Sequence, residues 1–194
     1  MHIQNWKKEI LTVPNLLTLF RLILLPVYAA IYLNAANSRD CLLAGCVMAV
    51  SCATDLFDGM VARRFHQITT LGKILDPLAD KFTQCTLTLC LSFRYPVLWP
   101  LLGLFVVKEL FQLVVGVCFL LKSKILPGAL MAGKICTTVL FISLIGLVVF
   151  PNIPRSTVMI IAVTDRAFLT MSFVSYIFAY FGRNSKIERL DPGK

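Results

Sequence analysis

Asp55 and Asp58 stand three residues apart, and Asp76 and Asp80 stand four apart, in a chain that is 58% apolar. Residues at these spacings share one face of a helix, so each pair would present two carboxylates side by side. A short hairpin between two helices would bring the pairs together. Four carboxylates in one place repel one another unless cations neutralise them, and hard oxygen donors select Mg²⁺, Mn²⁺ or Ca²⁺. No His or Cys stands at ligand spacing beside them, which argues against zinc. Any one of these acids alone has an ordinary use as a helix cap or as a partner for Arg63, Arg64 or Lys81; four in this arrangement point to a divalent-metal site.

The residues between the pairs fit a ligand that carries phosphate. Gly59 follows Asp58 and removes a side chain, Ala62 keeps the same face small, and Gly72 does the same at the turn into the next segment, so a ligand can approach the backbone. Arg63 offers a planar fork suited to phosphate or to a neighbouring carboxylate.

The elements that must position these groups are apolar. Of 194 residues, 19 are Lys or Arg and 10 are Asp or Glu, and mean hydropathy is +0.80, too hydrophobic for a water-soluble domain of this size. A membrane span needs about 20 mostly apolar residues, and the runs near 14–34, 41–62, 76–93, 97–121, 129–150 and 156–181 meet this. The expected fold is therefore an all-α integral membrane protein, one domain over 1–194 with six transmembrane helices joined by short connections. Lys7, Lys8, Arg63, Arg64, Lys73, Lys122, Lys124, Arg183, Lys186, Arg189 and Lys194 fall to one side, and Arg39, Arg94 and Arg155 to the other. The excess of positive charge places both termini in the cytoplasm, and Trp6-Lys7-Lys8 suits a short N-terminal helix lying in the interface. No cleavable signal peptide is evident. A basic balance of this kind fits anionic lipid headgroups, since the long polar faces that nucleic acid would need are absent. The seven cysteines are odd in number, form no CxxC pair and lie almost wholly in apolar runs, so they read as reduced packing residues.

Taken together, the segment reads Asp55-x2-Asp58-Gly59-x2-Ala62-Arg63-x8-Gly72-x3-Asp76-x3-Asp80. Eight fixed positions would arise by chance about once in 10⁹ starting points. At all eight the chain resembles the CDP-alcohol phosphatidyltransferases. The resemblance implies that a CDP-linked lipid, CDP-diacylglycerol, loses CMP to an alcohol with the help of two divalent cations, Mg²⁺ or Mn²⁺. It implies that Asp55, Asp58 and Asp76 hold the first cation, and that Asp80 serves the second and acts as general base. Gly59, Ala62 and Gly72, with Asp55 and Arg63, would line the nucleotide site. It also implies a multi-pass protein of the cell (inner) membrane with its active site facing the cytoplasm, and a homodimer through the third and fourth spans.

The acceptor is less sharply written. Val13-Pro14-Asn15-Leu16-Leu17-Thr18-Leu19-Phe20-Arg21, the run Leu75 to Lys81 and the pair Gly133-Lys134 look most like the phosphatidylglycerophosphate synthase branch, which implies glycerol 3-phosphate, a small phosphorylated alcohol. Cardiolipin synthases share much of that opening, so phosphatidylglycerol is an alternative acceptor, as are serine and an inositol phosphate. A phosphate-bearing acceptor needs cations, for which Arg63, Lys81, Lys108 and Lys134 are the candidates, Lys134 the best placed; Lys108-Glu109 reads equally as a buried structural pair. Asn15, Thr18 and Arg21 are placed to support the cavity from the side, with Arg21 forming an ion pair to the aspartates. Asp165-Arg166 receives no role. Outside enzymes, intramembrane carboxylates also mark transporters and channel subunits, although these acids gather at one side rather than at the midplane.

Overall fold

The computed structural model describes residues 12–64, 72–121, 131–150 and 152–181; within the helices, the side chains at 13–14, 55–64, 73–74, 119–121, 131–132, 134 and 179–181 lie outside that description. The expected interfacial helix before the first span lies outside it too. The described residues form six α-helices and no strand: α1 Val13–Leu33, α2 Ser38–Arg64, α3 Gly72–Arg94, α4 Trp99–Leu121, α5 Met131–Val149 and α6 Arg155–Phe181, with a 3₁₀ turn at Pro96–Leu98. Each helix overlies one of the six apolar runs.

Length and apolarity sufficient to cross a bilayer are met by three described stretches, Asn15–Leu33, Pro96–Cys118 and Arg155–Phe178, with Ile135–Val149 apolar but shorter. The coarser expectation, a helical membrane protein, therefore stands, and the count of six spans with cytoplasmic termini remains a proposal. Asp55, Asp58, Arg63 and Arg64 interrupt the end of α2, and Lys73, Asp76, Asp80 and Lys81 the start of α3.

The chain divides into two compact units, the first of residues 1–94 with 145–152, the second of 95–144 with 153–194. In the first, α1 packs against both α2 and α3. Pro14 sits in the first turn of α1, where its missing N–H is not needed. Asn34 ends the helix, its side-chain amide donating to the Ala30 carbonyl at 2.8 Å. The turn into α2 is closed by Asp40, whose Oδ2 accepts from the backbone N–H groups of Ala36 and Asn37 at 3.0 and 3.1 Å. Buried hydroxyls inside α3 turn back on their own helix: Thr83 donates to Ala79 O, Thr88 to Gln84 O and Ser92 to Thr88 O.

The buried stripe of α1 runs Asn15, Thr18, Arg21, Leu25, Tyr28 and Tyr32, polar at its start and apolar at its end. That of α2 runs Cys41, Ala44, Met48 and Ser51. The same spacing continued along the helix backbone reaches positions 55, 58 and 62. Beside this stripe an apolar groove of about 310 Å³ is lined by Gly45, Met48, Ala49, Cys52 and Ala53 of α2 with Ile145, Val148 and Val149.

In the second unit, α4 packs against α6. Phe111 and Phe173 meet edge to face at 5.2 Å, and Lys108 lies 5.8 Å from the ring centre of Tyr176. Stepping three residues back on α4 moves three forward on α6, as antiparallel helices require. All seven cysteines are free thiols, with Cys41, Cys90 and Cys136 buried. Large apolar side chains such as Ile142 and Phe178, 66% and 71% exposed, form a surface suited to acyl chains rather than water. Ala44 is fully buried on the packing face of α2 while the neighbouring Leu43 is exposed. Ala44→Leu should overpack that face by about 1–3 kcal/mol and lower the midpoint of thermal unfolding in detergent. Leu43→Ala should leave the midpoint essentially unchanged.

Candidate active site

The polar start of α1 meets the acidic start of α3. Thr18 Oγ1 donates to Asp76 Oδ1 at 2.8 Å, and Arg21 Nη1 donates to Asp80 Oδ1 at 2.8 Å. Both contacts advance along their helices together, so α1 and α3 run parallel and one register sets both bonds. Arg21 is 3% exposed, whereas the Asp80 side chain is 54% exposed. The guanidinium is thus rooted in the protein and the carboxylate reaches outward from it. Asn15, a turn earlier, is buried on the same face of α1. Pro77 lies between the two acids, inside α3, where it cannot donate the backbone bond to the carbonyl four residues earlier.

Asp55, Asp58, Gly59, Ala62 and Arg63 occupy the last turns of α2, with side chains outside the described residues. Gly72, buried, opens α3. The first acid pair thus stands in the last turns of α2 and the second in the opening turns of α3, consecutive helices along the chain. Among the described residues, no group of three or more His, Cys, Asp or Glu forms a metal cluster. Asp76 and Asp80 are nonetheless one helical turn apart, and the second oxygen of Asp76 accepts no hydrogen bond among the described residues. Oxygen donors of this hardness, with two further carboxylates in the pattern, fit Mg²⁺ or Mn²⁺ and not a soft metal.

The remaining candidates lie in the second unit and are described within it. Lys108 is 1% exposed and donates to Glu109 Oε1 at 2.7 Å. Lys134 lies in the first turn of α5, its side chain outside the described residues. Gly133 before it is buried, and a Cβ built there would lie 2.5 Å from the Tyr176 hydroxyl oxygen. Asp165 and Arg166 look to different partners. Asp165, buried, accepts from Ser143 Oγ at 2.6 Å, and Arg166 Nε donates to the Ala162 carbonyl at 2.8 Å. Residues 156–163 belong to the unbroken helix α6. Neither the Ser143 contact nor the part played by Tyr176 was read from the sequence; the only signal was a polar residue at mid-run on each of α5 and α6.

A helical chain with membrane-length apolar segments and paired carboxylates held against a neighbouring helix has the build of an integral membrane enzyme. The family model for CDP-alcohol phosphatidyltransferase matches residues 11–179, and the chain belongs to that family, whose members use divalent cations. Over 178 residues, 88% of this chain and 97% of the relative, it is 33% identical to the CDP-diacylglycerol–glycerol-3-phosphate 3-phosphatidyltransferase of Aquifex aeolicus. A probable phosphatidylglycerophosphate synthase of Mycobacterium tuberculosis is 33% identical over 150 residues, 75% of this chain and 69% of that one. A cardiolipin synthase (CMP-forming)/mitochondrial hydrolase fusion protein of Schizosaccharomyces pombe is 36% identical over 122 residues, 63% of this chain and 20% of that one. Membership sets aside the transporter and channel readings.

Arg21 supplies a testable consequence. Arg21→Met keeps an unbranched stem but removes the charge that holds Asp80, and should lower CMP release at least about tenfold with the helical circular dichroism unchanged. Arg21→Lys, which restores charge without the fork, should recover part of the loss. Full activity in Arg21→Met would show that the pair does not serve the reaction.

Proposed function

We propose that this protein transfers the phosphatidyl group of CDP-diacylglycerol to glycerol 3-phosphate, releasing CMP and forming phosphatidylglycerophosphate. The observation that carries the proposal is the pairing of Asp76 with Thr18 and of Asp80 with Arg21, 2.8 Å each, inside the eight-position pattern that also contains Asp55 and Asp58. The names of the Aquifex and Mycobacterium relatives support the choice of acceptor.

Asp55, Asp58 and Asp76 would hold one cation and Asp80 the second. When bound, the two cations neutralise the diphosphate and favour both the attacking and the leaving oxygens. The chain's own groups do the rest. Asp80, held through Oδ1 by Arg21, takes the proton from the acceptor hydroxyl as that oxygen attacks the phosphorus attached to diacylglycerol. The bond from that phosphorus to the CMP oxygen breaks, and CMP leaves with the electron pair. Thr18 fixes the orientation of Asp76. Gly59, Ala62 and Gly72 admit the cytidine close to the backbone, and Arg63 faces the phosphates. The apolar groove along α2 ends at Ala53, two residues before Asp55, and offers an acyl chain a place in the bilayer while the nucleotide stays in water. The active site faces the cytoplasm, where the nucleotide substrate's headgroup lies, and the protein works as a homodimer.

A second reading has its own support. The Schizosaccharomyces relative carries the name of a CMP-forming cardiolipin synthase, which favours phosphatidylglycerol as acceptor with the same donor chemistry.

Asp80→Asn keeps shape and removes the base, so it should abolish CMP release while CDP-diacylglycerol and the cation held by Asp55, Asp58 and Asp76 still bind; near-normal release would remove Asp80 from this role. Excess EDTA should stop turnover entirely. Lys134 is expected to hold the acceptor phosphate, because a dianion in a partly desolvated cavity needs charge-assisted contacts of about 1.5–3 kcal/mol each. Lys134→Ala should raise the KM for glycerol 3-phosphate about tenfold or more with little change for CDP-diacylglycerol.

A further inference from the structure

Tyr176 touches both helices that carry the lysines invoked for the acceptor. Its ring centre lies 5.8 Å from Lys108 Nζ, and the same ammonium donates to Glu109 Oε1 at 2.7 Å. It also lies against Gly133. A Cβ at that position would come within 2.5 Å of the tyrosine hydroxyl oxygen and 3.0 and 3.1 Å of ring carbons Cε2 and Cζ, so only glycine lets α5 approach α6 this closely while Tyr176 keeps its place. Lys134 is the next residue. Tyr176 is itself 8% exposed, and Lys108 1%.

The physical consequence is a fixed spacing. A lysine ammonium on its four-carbon stem sweeps a large volume; here it is held on one side by a carboxylate and on another by the negative face of an aromatic ring. The ring differs from Glu109 in one respect, since it attracts the ammonium without neutralising its charge. The other edge of the same tyrosine seats the first turn of α5, and with it the backbone of Lys134. The second rung between these helices, Ser143 to Asp165 at 2.6 Å, lies ten residues further along α5 and eleven back along α6, so the pair is pinned at two heights and cannot pivot about Tyr176 alone.

We propose that Tyr176 is a positioning residue for the acceptor: by holding Lys108 and seating the start of α5, it sets the separation at which Lys108 and Lys134 grip the phosphate of a phosphorylated alcohol. This rests on the reading that the acceptor carries a phosphate. Tyr176→Leu removes the ring, and Gly133→Ala displaces it from the opposite side.

The test is steady-state CMP release by the purified full-length protein in detergent, with glycerol 3-phosphate varied and with inorganic phosphate as competitor. Tyr176→Leu should raise the acceptor KM about fivefold and weaken inhibition by inorganic phosphate by a similar factor. Its kcat and its KM for CDP-diacylglycerol should change little. Gly133→Ala should do the same, and the double variant should be no worse than either alone, because both act through one contact. Tyr176→Phe, which keeps the ring, should restore the acceptor KM. Equal losses in kcat and in both KM values, or additive losses in the double variant, would mean that Tyr176 merely supports the fold and would overturn the proposal. If Tyr176→Leu does not fold, Gly133→Ala decides on the same readouts. Lys134→Ala and Lys108→Met separate this proposal from the reading beneath it. If they leave the acceptor KM and phosphate inhibition unchanged, the phosphate grip itself is wrong; if they raise both while Tyr176→Leu and Gly133→Ala do not, only the role of Tyr176 falls.

Discussion

A guanidinium buried to 3% exposure, 2.8 Å from a carboxylate that reaches outward, is the contact on which the first unit turns. Arg21 is costly to bury in an apolar helix without a counter-charge, and Asp80 supplies one. The bond fixes α1 against α3 in a single register, and that register brings Thr18 to Asp76 one turn earlier. The interaction that makes the helix pair tolerable inside an apolar protein is thus the one that orients the second pair of aspartates. It also explains why the buried face of α1 changes character along its length, from Asn15, Thr18 and Arg21 to Leu25, Tyr28 and Tyr32. The polar end meets the acids of α3 and the apolar end serves the packing.

The same economy holds on α2 and in the second unit. Cys41, Ala44, Met48 and Ser51 pack α2 with the period that places Asp55 and Asp58 at its end, so a change that rotates the helix to suit its packing would also turn the first acid pair. In the second unit the antiparallel helices α5 and α6 are pinned at two heights, by Gly133 against Tyr176 and by Ser143 against Asp165. A buried acid with a hydroxyl partner is satisfied locally, which accounts for Asp165 without assigning it a part in catalysis.

What could be read without coordinates divides along physical lines. The six helices follow from apolar runs bounded by proline, glycine and charge, because each boundary residue acts locally on its own backbone. The acid pattern and the family were legible because the reaction demands particular residue types at helical spacings. Arg21 was legible for another reason: a buried cation must find an anion, and the aspartates are the nearest supply. Three things were not legible. Whether α2 and α3 cross the bilayer depends on a medium that a helix with charges at one end does not specify, and α5 is apolar but short. The contacts of Tyr176 and Asp165 depend on the register between helices distant in sequence, which no local spacing encodes. Lys108-Glu109 read equally well as an acceptor cation or as a structural pair, and no local spacing told that the two would meet at 2.7 Å.

The central claim is that these residues pass a phosphatidyl group to a phosphorylated alcohol. The direct test is to incubate the purified protein with Mg²⁺ or Mn²⁺ and CDP-diacylglycerol carrying a labelled diacylglycerol-linked phosphate. Glycerol 3-phosphate, phosphatidylglycerol, serine, inositol phosphate or buffer alone is supplied in turn, and CMP and the labelled lipid are quantified together. The account predicts that glycerol 3-phosphate gives the fastest release, with one labelled phosphatidylglycerophosphate formed for each CMP. Release at the same rate in buffer alone, with the label recovered as phosphatidate, would contradict it.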